Sequence, residues 1–326
     1  MKFCIYGAGA IGGLIGAHLA RTGEDVTLIA RGPHLAAMRE KGLKVSGHGG
    51  DFTVRPRATD DPAEAGPQDY VIVALKAHSV APIAEKMKPL LGPKTAVVMA
   101  VNGVPWWYFH GIDGPLKDRR IPLVDPGDRQ WRHIGPERVI GCVVYPAAEV
   151  VAPGEIRHVE NDRFSLGEPD DSRSERVLAL SRAFVAAGFK APVKSGIRTE
   201  IWVKLWGNVA FNPISALTGG TLKSIAEDPG TRATARAVMQ EAEAIANKLG
   251  ITMPIPVEKR IDGAAGVGDH KTSMLQDFER GRPVELDAIV GAVAELGRLV
   301  GVPTPMIDTV YALTRHKAIR AGLYPG

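Results

Sequence analysis

Residues 3–20 have the sequence FCIYGAGAIGGLIGAHLA, and this stretch decides the fold of the first half of the chain. The apolar residues Phe3–Tyr6 predict a buried parallel strand, and the residues after the glycines predict an apolar helix that continues through Ala20. A strand that passes through Gly-x-Gly-x-x-Gly directly into a helix is the fingerprint of a dinucleotide-binding unit. We therefore predict an α/β protein that begins with a Rossmann-type domain.

The glycine turn supplies the first candidate cofactor-binding residues. Gly7 permits the tight turn, Gly9 lets the backbone approach a pyrophosphate, and Gly12 lets the helix pack closely against the strand. The pyrophosphate would lie on the unpaired N–H groups at the positive end of the helix. The alternative is a turn with a structural role only. The residues of this predicted site are Gly7, Ala8, Gly9, Ala10, Ile11 and Gly12.

The second predicted strand, Asp25–Ile29, indicates which nucleotide is bound. An NAD enzyme carries an acidic residue shortly after this strand for the ribose 2′-hydroxyl, whereas this chain has Arg31. A guanidinium can pair with a 2′-phosphate and stack on adenine, so NADP(H) is favoured over NAD(H). The alternative is an arginine in a solvated loop.

Two further apolar runs predict strands that end near the cofactor. Asp69–Leu75 is followed by Lys76, and Thr95–Ala100 is followed closely by Asn102. Residues just past the carboxyl ends of parallel strands line the crevice of a doubly wound sheet. We expect Lys76 to contact the cofactor and Asn102 to lie near the nicotinamide, although either could be an ordinary loop residue.

Length and composition favour two domains and a small-molecule ligand. A chain of 326 residues exceeds what one core usually organises, and we predict a Rossmann domain over residues 1–195 and an all-α domain over 196–326. Basic and acidic residues nearly balance, at 40 and 36, and no nucleic-acid-binding module is recognisable. No nucleic acid, membrane or metal partner is expected. Cys4 and Cys142 lie in apolar runs and predict buried thiols of a cytoplasmic protein.

The helix predicted from Arg198 onward carries a row of polar residues. Lys204, Asn208 and Asn212 are spaced four apart, so they lie on one helical face. Such groups are costly to bury without polar partners, which a bound ligand would supply; the alternative is a stripe that faces solvent. Asn212-Pro213 is expected to disrupt this helix, because proline disfavours helical geometry at the preceding residue.

Trp106–Phe109, at the start of a Pro-, Gly- and Trp-rich segment, predicts either a packed cluster or a lid. Farther along the chain, the pattern alone favours Ser273 as a cap or helix residue. It favours Glu285 as a carboxylate that interacts with a helix dipole.

With these motifs assembled, the chain resembles the ketopantoate reductases, also called 2-dehydropantoate 2-reductases. The resemblance runs nearly end to end. It is carried by the glycine turn, Arg31, Leu75-Lys76, Asn102-Gly103, Lys204 to Asn212-Pro213, and Ser273-Met274-Leu275-Gln276-Asp277 with Glu285 twelve residues after Ser273.

The resemblance implies hydride transfer from NADPH to C2 of ketopantoate, which gives pantoate on the pathway to coenzyme A. Lys204 matches the general acid, and Glu285 matches the carboxylate that binds the substrate hydroxyl and orients Lys204. Asn208, Asn212 and Ser273 match residues that hold the hydroxyl and carboxylate ends of the substrate. Asn102 and Lys76 match positions beside the nicotinamide. The family also implies a homodimer.

Two features depart from the family pattern. His270 stands where an asparagine that contacts the substrate is expected, and residues 105–135 form a longer segment. We therefore include His270 among the candidate substrate-binding residues and keep two alternatives. One is a reductase of another 2-oxo or 3-oxo acid, and the other is a non-catalytic NADP-sensing protein.

Overall fold

A computed structural model describes residues 1–325. Two compact units make up the chain, and most of each is contiguous in sequence. The first comprises residues 1–101, 106–120 and 125–197. The second comprises residues 102–105, 121–124 and the chain from Arg198 onward. Two short segments from the first half of the sequence therefore belong to the second unit, while the domain boundary predicted near residue 195 stays a prediction.

The first unit contains all the strands of the described chain. They are β1 (Lys2–Tyr6), β2 (Asp25–Ile29), β3 (Leu43–Gly47), β4 (Phe52–Val54), β5 (Arg57–Thr59), β6 (Gln68–Val73), β7 (Leu91–Met99), β8 (Val139–Val144), β9 (Ala147–Ala152), β10 (Glu155–Glu160) and β11 (Phe164–Gly167). Its α-helices are α1 (Ala10–Arg21), α2 (Gly32–Lys41), α3 (Arg129–His133) and α4 (Glu175–Ala186).

A seven-stranded sheet in the order β11-β8-β7-β6-β1-β2-β5 forms the centre of this unit. All neighbours pair in parallel except β11, which runs antiparallel to β8. The strand order reverses direction at β1, which is where doubly wound folds bind their ligands. The predicted Rossmann-type fold is therefore confirmed, with each predicted strand of the nucleotide-binding core within four residues of its observed bounds.

A second sheet, in the order β4-β3-β10-β9, was not predicted. Helix α1 packs against both sheets, and its glycines make room for them. A Cβ at Gly16 would lie 2.5 Å from Leu28 of β2, whereas one at Gly13 would clash with Ile156 of β10. The glycines of α1 thus serve packing on two faces as well as the turn before it.

The aromatic segment after β7 is packed within the first unit. Trp106, Trp107, Tyr108 and Phe109 are all buried, and Trp106 makes an edge contact with Trp131 of α3 at 5.9 Å. The guanidinium of Arg120 lies over the ring of the same tryptophan, 3.3 Å from the ring centre. The packed-cluster interpretation is confirmed. Cys4 and Cys142 are buried as predicted.

The second unit is helical. Its α-helices are α5 (Ile197–Thr218), α6 (Leu222–Glu227), α7 (Pro229–Lys248), α8 (Val257–Gly266), α9 (Ser273–Glu279), α10 (Ala292–Val300) and α11 (Pro305–Arg320), and a π-helical turn over Asp287–Gly291 precedes α10. Trp202 and Trp206 of α5 are buried, and the indole N–H of Trp206 donates to the carbonyl of Met239 at 2.8 Å. None of the described helices is long and apolar enough to cross a membrane.

The prediction that Asn212-Pro213 disrupts α5 is wrong. The helix continues through Pro213 to Thr218. The residues around this proline are buried, among them Asn212, Ile214 and Ala216. Burial of this turn offsets the local cost of an internal proline, which is about 3 kcal/mol.

Buried His18 on α1 makes the stability of the first unit depend on pH. Its Nδ1 lies 2.9 Å from the carbonyl oxygen of Ala187, and burial, with Arg21 and His158 nearby, lowers its pKa below the usual 6.5. The unfolded chain therefore binds a proton at a higher pH than the folded chain. This contribution to stability is complete above about pH 6.5 and is lost as the pH falls below that value.

We expect His18→Asn to reduce the loss of unfolding free energy on acidification, since an amide does not titrate there. The measurement is urea unfolding at several pH values on either side of 6.5. His316→Asn, at an exposed position of α11, is the matched control and should keep the wild-type slope. Equal slopes for all three proteins would contradict the prediction.

Candidate active site

The turn between β1 and α1 requires two of its glycines for folding. Gly7 has φ +100°, in the left-handed region that favours glycine, and a Cβ there would lie 2.5 Å from Leu75. The N–H groups of Gly7 and Ala8 donate to the carbonyl of Ile29 at 3.2 and 2.9 Å. A Cβ at Gly12 would clash with the carbonyl oxygen of Gly7. These contacts fix the close approach of strand and helix.

Gly9 differs because the space beside it is open. A Cβ at this position would meet no heavy atom within 4 Å, and Gly9 caps α1 without any side-chain hydrogen bond to the helix N-terminus. An open approach to the positive end of a helix fits the pyrophosphate of a dinucleotide. The residues present therefore fit the predicted cofactor.

Arg31 and Lys76 follow strands that flank β1. Arg31 caps α2 just after β2 and is exposed, and Lys76 precedes a 3₁₀ turn, Ala77–Ser79, after β6. Since β2, β1 and β6 are adjacent and parallel, their carboxyl ends lie along one edge of the sheet. The two basic side chains are thus carried by the same edge as the glycine turn.

In the second unit, three predicted site residues lie together. The Nζ of Lys204 donates to Oδ1 of Asn102 at 2.7 Å, and Nδ2 of Asn102 donates to Oε2 of Glu285 at 3.5 Å. All three are half-buried. An amine, an amide and a carboxylate thus form one chain of hydrogen bonds, an arrangement suited to orienting an amine that can give up a proton.

The position of Asn102 depends on the glycine that follows it. Gly103 has φ +92°, and a Cβ there would clash with the backbone of Ala288 in the π turn. The N–H of Val104 then donates to the carbonyl oxygen of Ala288 at 2.8 Å. Residues 102–104 therefore lie directly on the turn that follows Glu285.

Asn208 and Asn212 continue the polar row of α5. Asn208 is half-buried, and Asn212 is only 3% exposed, so the row does not face solvent at this end. The Nδ2 of Asn212 has no hydrogen-bond partner among the described residues. A buried amide without an acceptor is costly, and a ligand oxygen would satisfy it.

Ser273 and His270 lie at and before the start of α9. Thr272 caps that helix, because its hydroxyl accepts the N–H of Leu275 at 3.2 Å, and exposed Ser273 is the first helical residue. His270 is half-buried in the loop before α9, and its backbone carbonyl accepts the N–H of Leu222 at 3.0 Å. Their substrate contacts stay predictions.

Sequence reasoning missed Arg260 of α8, which brings a second cation to α5. A Cβ at Gly207 would lie 2.5 Å from an Nη of Arg260, so the guanidinium lies directly on the helix one turn beyond Lys204. A glycine inside a helix often has a packing reason, and Gly207 was the only signal in the sequence.

Comparison with protein families follows the two halves of the chain. A family model described as ketopantoate reductase PanE/ApbA matches residues 3–171, and the model for the C-terminal part of the same family matches residues 196–318. The expected resemblance is confirmed.

Individual relatives agree over the full length. A 2-dehydropantoate 2-reductase of Mesorhizobium japonicum is 58% identical over 325 residues, which cover 99% of this chain and 100% of the relative. A crystal structure from Ralstonia solanacearum MolK2, provisionally assigned as a ketopantoate reductase, is 44% identical with a TM-score of 0.95 and 99% coverage of both chains. A PanE/ApbA family ketopantoate reductase from Ralstonia eutropha JMP134 is 28% identical with a TM-score of 0.85, covering 99% of this chain and 100% of that one.

The contrast between Gly9 and Gly12 predicts that substitution by alanine affects nucleotide binding at one position and stability at the other. Gly9→Ala should leave unfolding unchanged but weaken NADPH binding about tenfold or more, a loss of at least about 1.4 kcal/mol, because the new methyl group occupies the open space. Gly12→Ala should lower the unfolding free energy by about 1–3 kcal/mol through overpacking.

Thermal unfolding and NADPH fluorescence titration distinguish the two variants. Normal nucleotide affinity in Gly9→Ala would argue that the open space beside this residue serves no ligand.

Proposed function

Because this chain belongs to the ketopantoate reductase family, we propose that it catalyses the NADPH-dependent reduction of ketopantoate to pantoate. The chain is an oxidoreductase by family, and ketopantoate reductases use NADPH. The observation that carries the proposal is the hydrogen-bonded chain from Lys204 through Asn102 to Glu285. It brings an amine, a bridging amide and a carboxylate into one half-buried cluster.

Lys204 is the proposed general acid. NADPH, when bound, supplies a hydride to the C2 carbonyl carbon of the substrate, and the carbonyl oxygen gains negative charge. An ammonium has three N–H donors, of which Asn102 takes one. The proposal gives another to the substrate carbonyl oxygen, where the positive charge stabilises the developing alkoxide and the proton is then transferred.

Glu285 is proposed to bind the substrate hydroxyl and to orient the amide. Because its carboxylate accepts the Nδ2 of Asn102, the oxygen of that amide points to Lys204. The direction of the amine is thus fixed by a carboxylate that it reaches through one side chain.

The polar row of α5 and the start of α9 are proposed to hold the rest of the substrate. The buried Nδ2 of Asn212 supplies a donor for a substrate oxygen, and half-buried Asn208 lies one turn before it. Exposed Ser273 and the imidazole of His270 complete the proposed set.

The glycine turn, Gly7–Gly12, is proposed to hold the pyrophosphate. Arg31 would pair with the 2′-phosphate of NADP(H), and Lys76 would contact the cofactor from the neighbouring strand.

The family resemblance also supports a homodimer in the cytoplasm that acts on the pathway to coenzyme A. The molar mass in solution, measured by light scattering, tests the dimer.

The direct test is NADPH oxidation, followed by absorbance, with ketopantoate beside a panel of other 2-oxo and 3-oxo acids and with NADH in parallel. We expect ketopantoate to have the highest kcat/KM and NADPH to be preferred. A higher kcat/KM for another acid would reassign the substrate. Nucleotide binding without oxidation of any partner would favour the NADP-sensing alternative.

Lys204→Ala is expected to lower kcat by about 100- to 10,000-fold, the range typical of a lost general acid. Its NADPH affinity should match the wild type, because the pyrophosphate site is built from Gly7–Gly12. Lys223→Ala, at an exposed lysine of α6, is the matched control. Turnover near the wild-type level in Lys204→Ala would remove this amine from the mechanism.

A further inference from the structure

We propose that the C-terminal segment Leu323–Tyr324 is a positioning element for Glu285, acting through the carboxylate of Asp287. This inference rests on the proposed function of Glu285 and adds residues outside the predicted site. It assigns a role to the end of the described chain, which lies far from Glu285 in sequence.

The carboxylate of Asp287 is held by two phenols. The hydroxyl of Tyr311 on α11 donates to Oδ1 at 2.7 Å, and the hydroxyl of Tyr324 lies 2.9 Å from both carboxylate oxygens. Burial, together with Tyr324 and Asp287 nearby, raises the pKa of Tyr311. That phenol therefore stays a hydrogen-bond donor across the neutral range.

The same C-terminal segment holds the chain on the other side of Glu285. The N–H of Val284 donates to the carbonyl oxygen of Leu323 at 3.0 Å, and both side chains are buried. The guanidinium of Arg315 lies 4.7 Å from the ring centre of Tyr324. Glu285 thus lies between two anchor points, at Val284 and Asp287, and one two-residue segment contacts both.

A second set of contacts connects the π turn to Lys204, so a displacement of this turn would also displace the amine. Asp287 begins the π turn, and the carbonyl of Ala288 in that turn accepts the N–H of Val104. Two residues before Val104, the side chain of Asn102 accepts the hydrogen bond from Lys204. A Cβ at Gly291, the end of that turn, would lie 2.9 Å from the ring of Tyr311. Short π-helical turns within helices are frequent at functional sites. Asn102 and Glu285 therefore share a support that the tyrosines hold.

Tyr324→Phe tests the proposal, because it removes the hydroxyl that donates to Asp287, along with that hydroxyl's hydrogen bond from Arg315, and keeps the ring that Arg315 contacts. We expect kcat with the best oxo acid to fall about 10- to 100-fold, the scale of a small misplacement of reacting groups. The KM for NADPH should stay unchanged. The pH profile of kcat should also shift, which loss of stability alone would not cause.

Tyr70→Phe is the matched control, since the Tyr70 hydroxyl also donates one hydrogen bond, to the carbonyl of Arg176 at 2.8 Å in the first unit. It should keep the wild-type kcat and pH profile. Amide hydrogen exchange gives a readout that needs no turnover. Peptides covering residues 284–291 and 102–104 should exchange faster in Tyr324→Phe than in the wild type or in Tyr70→Phe.

The outcomes separate the two proposals. A wild-type protein that reduces no oxo acid contradicts the proposed function, whereas exchange at 284–291 still reports on the anchoring. Unchanged exchange in Tyr324→Phe would overturn the positioning role. If the wild type is active, a kcat and a pH profile in Tyr324→Phe that equal those of the wild type would also overturn it.

Discussion

The side-chain amide of Asn102 is the interaction on which the rest of the site depends. It accepts a hydrogen bond from the amine of Lys204 and donates one to the carboxylate of Glu285. An amide can do both at once because its two ends have opposite hydrogen-bonding character. It therefore links an amine on α5 to a carboxylate that lies just before the π turn, far away in sequence. An aspartate or leucine at this position would lose one or both of these bonds.

The backbone also secures this amide. Gly103 approaches Ala288 too closely for any Cβ, and Val104 adds a hydrogen bond to the same carbonyl. The π turn beneath them is stabilised in turn by Asp287 and its two tyrosines. Precision at the amine thus depends on a series of close backbone contacts, each of which tolerates little displacement.

Local sequence patterns predicted the parts of the structure that short-range physics determines. The glycine turn, the strand before it and the burial of Trp106–Phe109 each follow from steric or apolar patterns within a few residues. The pairing of Asn102 with Lys204 depends on contacts across 102 positions of sequence, which no local pattern encodes. The family resemblance supplied the residues but gave Asn102 a place beside the nicotinamide, without its bonds to Lys204 and Glu285.

Two failures have the same origin. The strands β3, β4 and β9 are short and partly exposed, so they become a sheet only when β10 pairs with β3. Pro213 disfavours a helix locally, but the buried surroundings of α5 outweigh that preference. In both cases tertiary packing overrides local propensity.

The second unit is not one continuous piece of sequence, and this limits how the protein can be divided or recombined. A fragment starting at Arg198 would keep Lys204 and Glu285 but leave behind Asn102 and Leu123, whose N–H donates to Glu295 at 3.3 Å. A chimaera that exchanges C-terminal halves between relatives would therefore inherit the amine of Lys204 from one parent and the amide that accepts its hydrogen bond from the other. Compatibility at residues 102–104 and 288 would decide whether such a hybrid works.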